Sequence, residues 1–347
     1  MVEEKYMRRC IQLAQNALCN AAPNPMVGAV IVYDGKIIGE GYHIRCGEAH
    51  AEVNAIRSVK DPSLLKDSTI YVTLEPCSHY GKTPPCADLI IEKQIPRIVI
   101  GCRDPFSQVA GRGIQKLVDA GREVMVGVLE KECRHLIRRF VTFHTLHRPY
   151  ITLKWAESAD GYIDVCREDG SPVILSSPLT SMLVHKKRAK HAAILVGTHT
   201  ARLDNPSLTV RQWYGRSPVR IVLDRKQVLP PRLNLFDGSV PTMVFTDSVH
   251  APLPNVEFIT IDYQCDILPQ IMQTLYERNL QSLLVEGGRE LLQSFINAGL
   301  WDEVFIERCP RLLHGGVKSP EMSHHIPYSL RQTFGRSFLH YINTKMS

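Results

Sequence analysis

Apolar and polar residues alternate along the first part of the chain in a way that predicts strands and helices in turn. Tyr6, Cys10 and Leu13 recur at helical spacing and predict an opening helix. Two β-rich runs at 27–33 and 36–42 are separated by Asp34-Gly35, which is typical of a tight hairpin. The later predicted elements are a helix over 49–59, a strand over 69–74, a helix over 87–93, a strand over 97–101, a helix over 114–120, a strand over 123–128 and a helix from 130 to about 144.

The same alternation continues after Pro149. The predicted strands cover 150–155, 193–197, 219–224, 242–246 and 282–286, and the predicted helices cover 181–191, 268–278 and 290–298. Alternating strands and helices favour layered sheets, so we predict an α/β protein. Its length predicts two domains, which we place at residues 1–146 and 149–347, because Pro149 resists continuation of the preceding helix.

Composition and charge narrow the class of protein. With 44% hydrophobic and 22% charged residues, the chain has an ordinary globular composition. A net charge of +6 over 347 residues suits a small anionic ligand and is too weak to indicate nucleic acid. The ten cysteines are irregularly spaced, so we expect reduced thiols. The chain shows neither a signal-peptide core nor an apolar run of about 20 residues, so we expect a cytoplasmic protein away from membranes.

His50, Cys77 and Cys86 form a candidate metal site. One imidazole and two thiolates suit tetrahedral Zn²⁺, and three protein ligands leave the fourth position open. Zinc lowers the pKa of a bound water to about 7, and Glu52 is close enough in sequence to move protons beside it. H-x-E followed by Pro-Cys and a second Cys is the signature of zinc-dependent nucleobase deaminases. One departure is that eight residues, rather than two, separate Cys77 from Cys86.

The residues around this site resemble those of one particular family. The segment 75–86, which reads EPCSHYGKTPPC, resembles the signature of the bifunctional deaminase/reductases of riboflavin biosynthesis, the RibD family. Residues 23–28 resemble the family's substrate loop, and residues 41–43 and 47–53 fit too, although the family usually has proline in place of Ala49. In the second half, the matching segments are 153–161, 197–211 and 285–288. The resemblance therefore covers nearly the whole chain.

The resemblance implies a cytidine-deaminase-like layered α/β domain followed by a dihydrofolate-reductase-like α/β domain. The first domain would be a zinc-dependent pyrimidine deaminase acting on 2,5-diamino-6-ribosylamino-4(3H)-pyrimidinone 5′-phosphate. The second would reduce the ribosyl chain with NADPH to give 5-amino-6-ribitylamino-uracil 5′-phosphate. The chain has no G-x-G-x-x-G fingerprint, so the nicotinamide cofactor rests on the resemblance alone. A homodimer or homotetramer is also implied.

The resemblance assigns roles to individual residues. Glu52 would be the proton shuttle of the deaminase, and Lys154 would donate to a sugar oxygen in the reductase. Contacts to the cofactor are expected from Thr200, Asp204, Gly287, Gly288 and Glu157. Contacts to substrate are expected from Asn24, His43, His79, Ser171, Arg188, Leu208, Arg211 and Glu286. Among these, the two arginines suit bidentate binding of a phosphate.

Other interpretations stay open at this stage. The family commonly carries Trp where this chain has residues 172–177, so the second domain is alternatively a binding platform without reductase activity. The zinc motif by itself also allows a deaminase that edits tRNA or another polynucleotide, or a structural zinc module. Arg188 alternatively belongs to a solvated helix face, 204–206 to a plain turn and 286–288 to a helix-entry loop. His43 and His79 are alternatively surface histidines.

Overall fold

The chain folds into two compact units, Met1–His147 and Arg148–Ser347, each with its own core. The computed structural model describes residues 3–18, 20–78, 80, 84–105, 111–167, 172–248, 251 and 253–343. Both units are built from strands and helices in alternation, so the predicted α/β class is confirmed. Among the helices in the described ranges, none is long and apolar enough to cross a bilayer.

The first unit is a five-stranded sheet with helices on both faces. Its strands are β1 (Gly28–Tyr33), β2 (Lys36–Tyr42), β3 (Thr69–Leu74), β4 (Arg97–Cys102) and β5 (Glu123–Val126). Its helices are α1 (Glu4–Gln15), α2 (Ala51–Arg57), α3 (Cys86–Glu92), α4 (Arg112–Asp119), α5 (Glu130–Leu136) and α6 (Arg138–Leu146). The strand order is β2-β1-β3-β4-β5, in which β1 runs antiparallel to both neighbours and β3, β4 and β5 are parallel.

Alternate residues of β1 feed two separate cores. Ala29 and Ile31 pack with α2 and α3, whereas Val30 and Val32 pack with α1 and α5. Both faces of the sheet are therefore buried, which is why the strands read as nearly continuous apolar runs. Gly39 and Gly41 allow α2 to lie directly on β2, because a Cβ at either position would overlap the backbone of that helix. Helix α2, which follows His50, therefore packs directly on the hairpin of β1 and β2, with no side chain from Gly39 or Gly41 between them.

One predicted helix of the first unit was wrong. The sequence predicted a single helix from 130 to about 144, but the structure has α5 and α6 in its place. Ile137 lies between them with φ −100° and ψ 16°, outside helical geometry. Its side chain is buried in the same core as Cys133 and Leu136. Burial of Ile137 therefore accompanies a break that the local helical propensity does not reveal.

The second unit contains a nine-stranded sheet and a separate two-stranded sheet. Its strands are β6 (Tyr150–Glu157), β7 (Tyr162–Asp164), β8 (Ala193–Val196), β9 (Val219–Leu223), β10 (Thr242–Thr246), β11 (Val256–Thr260), β12 (Ser282–Val285), β13 (Glu303–Arg308), β14 (Val317–Lys318), β15 (Tyr328–Thr333) and β16 (Arg336–Ile342). Its helices are α7 (Pro178–Arg188), α8 (Thr198–Asp204), α9 (Ile267–Glu277) and α10 (Arg289–Asn297). The order is β11-β10-β9-β8-β12-β6-β13-β16-β15, and β7 pairs separately with β14.

Parallel pairing dominates the large sheet. The seven strands from β11 to β13 in this order run parallel, and β16 and β15 add an antiparallel hairpin at one edge. The sequence missed β7, β11, β13–β16 and α8. The edge strand β15 is exposed along nearly all its length, so it lacks the apolar run that indicates a strand. In β13, Glu303 and Glu307 are buried charged residues that interrupt the apolar pattern.

Candidate active sites

The three predicted metal ligands come together at one edge of the first unit's sheet. His50 is the N-cap of α2, Cys86 is the first residue of α3, and Cys77 follows the end of β3. The His50 Nδ1 atom lies 3.6 Å from Cys77 Sγ and 3.4 Å from Cys86 Sγ. Tetrahedral zinc with ordinary bond lengths separates a nitrogen ligand from a sulfur ligand by about 3.6 Å. The residues therefore fit a zinc ion.

The surroundings of Cys77 favour its thiolate, which is the form that binds a metal. The neighbouring Cys86 thiol lowers the pKa of Cys77, and His50 contributes in the same direction against the effect of burial. The backbone N–H of Cys86 also donates to Cys77 Sγ at 3.3 Å. In turn, the hydrogen bond with Cys77 raises the pKa of His50.

Glu52 lies in the first turn of α2 and is buried beside the ligand cluster. Burial raises the pKa of Glu52 to about 7, and the negative charge of Cys77 acts in the same direction. A carboxyl group that titrates near neutral pH can both accept and donate a proton during a reaction. Glu52 therefore has the setting that the proton-shuttle prediction requires.

Asn24 and His43 form a second polar layer against the ligand cluster. The His43 ring lies 5.3 Å from that of His50, and Asn24 Nδ2 lies 3.1 Å from His43 Nε2. Because His43 Nδ1 faces the carbonyl oxygen of Ala49 at 3.1 Å, Nδ1 carries the proton and Nε2 accepts from Asn24. Burial lowers the pKa of His43, which favours this neutral form. His43 is 2% exposed, so the surface-histidine alternative is wrong for it. His79 lies outside the described residues.

The second unit contains a cavity of about 660 Å³ where the strands β8 and β12 end. It gathers most of the residues that were predicted for the reductase. The predicted residues that line the cavity are Lys154, Arg188, Thr200, Asp204, Leu208, Glu286, Gly287 and Gly288. Ligand sites of open parallel sheets lie at these carboxyl ends, so the location suits a substrate and a cofactor. Ser171 lies outside the described part of the chain.

An ion pair forms the charged wall of this cavity. Arg188 donates to Glu286 Oε2 from Nη2 at 2.7 Å and from Nε at 3.2 Å. Burial by itself would raise the pKa of Glu286, but Arg188 and Lys154 hold it below its ordinary value. Its second oxygen, Oε1, is buried and accepts no hydrogen bond from the described residues. Glu286 lines the cavity, and its carboxylate retains acceptor capacity that the described residues do not use.

The two glycines after β12 are required by backbone conformation and by space. Gly287 has φ 114° and Gly288 has φ 81°, in the region that L side chains rarely adopt. A Cβ at Gly287 would also lie 2.9 Å from the Thr200 methyl carbon. The glycine pair thus lets the end of β12 approach the start of α8 closely, and the helix-entry loop forms part of the cavity.

Two predicted residues do not belong to the lining of the cavity in the described structure. Glu157 accepts from Trp155 Nε1 at 3.0 Å and from Arg308 Nε at 2.8 Å, so its carboxylate links β6 to β13. We therefore correct its assignment from a cofactor contact to a structural ion pair. Arg211 is exposed, and its Nη1 donates to Thr209 Oγ1 at 2.8 Å.

Sequence reasoning missed two contributors to this cavity. Arg167 forms ion pairs with both Asp164 and Asp204, so the carboxylate of an expected cofactor contact has a cationic partner inside the cavity. Residues 173–176 also line the wall, and Ser176 is anchored by donating to Glu307 Oε2 at 2.7 Å. Neither feature has a sufficient local sequence signal, because Asp204 is distant in the chain from Arg167 and Glu307 is distant from Ser176.

Comparisons with known proteins identify both halves. The family model described as the RibD C-terminal domain matches residues 149–330, and the cytidine and deoxycytidylate deaminase zinc-binding region matches residues 1–102. The riboflavin biosynthesis protein RibD of Bacillus amyloliquefaciens is 40% identical over 92% of this chain and 88% of that protein. RibD of Escherichia coli K12 is 37% identical over 90% of this chain and 89% of that protein.

Solved structures agree with these sequence matches. A diaminohydroxyphosphoribosylaminopyrimidine deaminase/5-amino-6-(5-phosphoribosylamino)uracil reductase from Thermotoga maritima has a TM-score of 0.88 and 38% identity, covering 98% of both chains. RibD of Acinetobacter baumannii has a TM-score of 0.86 and 32% identity over the same shares. On the strength of these family models and relatives, which agree with the candidate metal site and the cavity, the chain belongs to the RibD family of bifunctional deaminase/reductases of riboflavin biosynthesis.

Proposed function

We propose that the chain catalyses two successive reactions on one phosphorylated pyrimidine. The first unit hydrolyses an amino group from 2,5-diamino-6-ribosylamino-4(3H)-pyrimidinone 5′-phosphate. The second reduces the ribosyl chain with NADPH and yields 5-amino-6-ribitylamino-uracil 5′-phosphate. The observation that carries the proposal is the set His50, Cys77 and Cys86 beside buried Glu52, in the same chain as the reductase-type cavity. The Thermotoga maritima relative, a deaminase and reductase of these phosphoribosyl pyrimidines, supports this substrate pair.

In the first unit, His50, Cys77 and Cys86 would hold Zn²⁺. Bound zinc supplies a Lewis acid that makes a nucleophile available from water at neutral pH. The Glu52 carboxylate takes a proton from the attacking water and delivers it to the leaving amine, which departs as ammonia. Asn24 and His43 orient the pyrimidine, since their hydrogen bond holds both side chains beside the ligand cluster.

In the second unit, the chain's task is to align substrate and cofactor. NADPH supplies the hydride when it is bound. Lys154 donates to a sugar oxygen, and the Glu286 carboxylate accepts from a sugar hydroxyl. Arg188 fixes Glu286, contacts the Thr209 carbonyl and presents its remaining guanidinium donors to the substrate phosphate, and the exposed Arg211, outside the lining, supplies a second cation to that phosphate. Thr200, Gly287 and Gly288 form the wall against which the cofactor packs.

Product analysis tests this proposal. The full chain is incubated with the diaminopyrimidinone ribosyl phosphate, with and without NADPH, and the masses of the products are measured by mass spectrometry. We expect a deaminated product without NADPH and a deaminated, reduced product with it. A product that stays unreduced in the presence of NADPH would leave the second unit as a binding platform. An unchanged substrate would restore the polynucleotide-editing alternative for the first unit.

We also propose that the two activities divide where the structure does, at His147 and Arg148. A homodimer or homotetramer and residence in the cytoplasm complete the proposal, and the family resemblance supports both. Light scattering on the purified chain measures the first, and fractionation of cells that express it measures the second. A monomer at micromolar concentration would contradict the oligomer.

A further inference from the structure

Glu75 is a buried carboxylate next to the metal site, and the proposed deamination assigns it no role. It directly follows β3 and directly precedes Pro76 and the ligand Cys77, and it is 4% exposed. Its Oε2 accepts from the backbone N–H groups of Asp104 at 3.3 Å and Gly111 at 3.0 Å. A carboxylate group offers about four acceptor sites, two on each oxygen.

The other oxygen of Glu75 binds the first turn of a helix. Oε1 accepts from the N–H groups of Gly113 at 3.0 Å and Ile114 at 3.3 Å. Gly111 is the N-cap of α4, so three of the four donors belong to its N-terminal end, where N–H groups lack partners within the helix. The fourth donor, Asp104, follows β4. One side chain therefore ties the end of β3 to the end of β4 and to the start of α4.

The backbone around Glu75 is held as firmly as its side chain. The N–H of Glu75 donates to the carbonyl of Cys102 at 3.0 Å. On the other side, Gly113 lies so close to Pro76 that a Cβ there would overlap the Pro76 carbonyl oxygen. Pro76 is the residue between Glu75 and Cys77. The segment that delivers Cys77 to the metal site is thus fixed between β4 and α4.

Hydrogen bonds also hold Cys77, one of the three candidate metal ligands, against the start of α3. The carbonyl of Cys77 accepts from Ala87 N–H at 3.1 Å, and its Sγ accepts from Cys86 N–H at 3.3 Å. Cys77 is therefore held by α3 on one side and, through Pro76 and Glu75, by α4 on the other. Partners that orient a metal ligand without touching the metal commonly change metal affinity or activity by about 10- to 100-fold when they are replaced.

We propose that Glu75 is a positioning residue of the deaminase, which sets the place of Cys77 and so the affinity and geometry of the metal site. The inference rests on the proposed zinc-dependent function of the first unit. Glu75 acts through its hydrogen bonds to the backbone of the described residues 104, 111, 113 and 114 and through the adjoining Pro76, and takes no part in proton transfer.

Two substitutions of Glu75 separate shape from acceptor capacity. Glu75→Gln preserves the size of the side chain but turns one oxygen into an NH₂ group that faces two N–H donors. Buried donors left without an acceptor cost free energy, so the α4 end moves away from the ligand segment. Glu75→Asp keeps both oxygens but is one methylene too short to span Gly111 and Gly113 together. Glu123→Gln, at an exposed position at the start of β5, removes the same charge and serves as the matched control.

The experiment measures zinc affinity of the full chain by competition with a chelator of known affinity. The cobalt(II)-substituted chain gives a second readout, because its visible spectrum reports the geometry of the two thiolate ligands. NADPH-dependent reduction of the deaminated pyrimidine, supplied directly to the same samples, reports the integrity of the second unit. For Glu75→Gln we expect zinc affinity to fall by about 10- to 100-fold, the cobalt bands to shift and reduction to be unchanged. Glu123→Gln should match the parent in all three.

Gly113→Ala approaches the same contact from the other side. It leaves the Glu75 carboxylate in place but forces a methyl group against the Pro76 carbonyl oxygen, so we expect weaker zinc binding here too. If Glu75→Gln does not accumulate as folded protein, Glu75→Asp and Gly113→Ala decide the question by the same readouts.

Parental zinc affinity together with a parental cobalt spectrum in Glu75→Gln would overturn the inference, even if its melting temperature or deamination rate were lower. A parent chain that binds zinc without deaminating the pyrimidine would contradict the proposed function instead. In that case the comparison of zinc affinities still decides the role of Glu75.

Discussion

The two sites of this chain are built in different ways. In the first unit, the three ligands and Glu52 come from one stretch of sequence, and their side-chain chemistry defines the site. In the second unit, the cavity draws on Lys154 in β6, on α8 and on the turn after β12. There the backbone turn at Gly287 and the pairing of charges define the site. A site of the first kind is sensitive to the identity of single atoms, and one of the second kind to spacing and packing.

Removal of zinc gives the largest expected contrast between the two sites. A strong chelator should abolish deamination, because His50, Cys77 and Cys86 have no other role in the proposed reaction. Reduction by NADPH should continue, since none of the residues that line its cavity belongs to this cluster. The measurement is the rate of each half-reaction, with the deaminated pyrimidine supplied directly for the reduction, before and after chelation and after zinc is returned. Loss of both activities would show that the sites depend on each other.

Glu52→Gln should lower the turnover number for deamination by about 10²- to 10⁴-fold, the usual contribution of a positioned proton-transfer group. The substitution keeps the size of the side chain, so zinc content measured by atomic absorption should stay at the parental value. Glu48→Gln, which alters an exposed carboxylate four residues earlier, is the control. A Glu52→Gln enzyme of parental activity would refute the proton-shuttle role.

Glu286→Gln tests the charged wall of the second site. It leaves the partly buried Arg188 without its ionic partner and weakens the Glu286 acceptor proposed for the substrate hydroxyl. Hydrogen bonds to charged groups contribute about 1.5–3 kcal/mol, so kcat/KM for reduction should fall by roughly 10- to 150-fold. Deamination should be unaffected. Steady-state kinetics of both half-reactions check this. A parental kcat/KM for reduction would show that the substrate does not bind at Glu286.

Gly287→Ala should disturb the second site through the backbone. Its φ of 114° is costly for alanine, and the new Cβ would press on Thr200. A cost of about 1–3 kcal/mol in unfolding free energy is usual for such strain. Gly197→Ala is the matched control, because Gly197 has φ −80° and the nearest atom to an added Cβ is 3.8 Å away. Chemical denaturation of the two variants should show the larger loss at Gly287.

The smallest expected effect is a pH dependence of stability in the second unit. The folded pKa of Glu286 is held below its ordinary value, so its ion pair stabilises the fold above about pH 4.5. This contribution is lost as the pH falls through the folded pKa. The difference in melting temperature between the parent and Glu286→Gln should therefore shrink as the pH is lowered below 4.5. A difference that is constant from pH 7 to pH 3 would contradict this linkage.

The same contrast explains what the sequence could predict. The ligands and Glu52 were found because few residue types bind zinc or move protons, and they stand at a recognisable spacing. The strand at 69–74 was also predicted with its observed bounds, since both its faces are buried and its residues are apolar. Local residue chemistry and local periodicity were sufficient for both.

Features that depend on distant partners could not be predicted. Glu157 looked available to a cofactor, but it is held by Arg308 of a neighbouring strand, far away in the sequence. Arg167 and Asp204 are distant in the sequence, and only the folded structure brings them into an ion pair. The strand β15 forms because β16 offers it a partner, although its own side chains are exposed. Glu75 stood inside a recognised motif, yet its described donors belong to residues 104, 111, 113 and 114.

The division of one polypeptide into two units with separate cores has a consequence for the cell. Both sites are translated together, so every molecule carries one of each, whatever the level of expression. The balance between the two steps is then fixed by their intrinsic turnover and cannot be adjusted by transcription of one without the other. Evolution of a different balance would therefore require amino-acid substitutions in one of the two units.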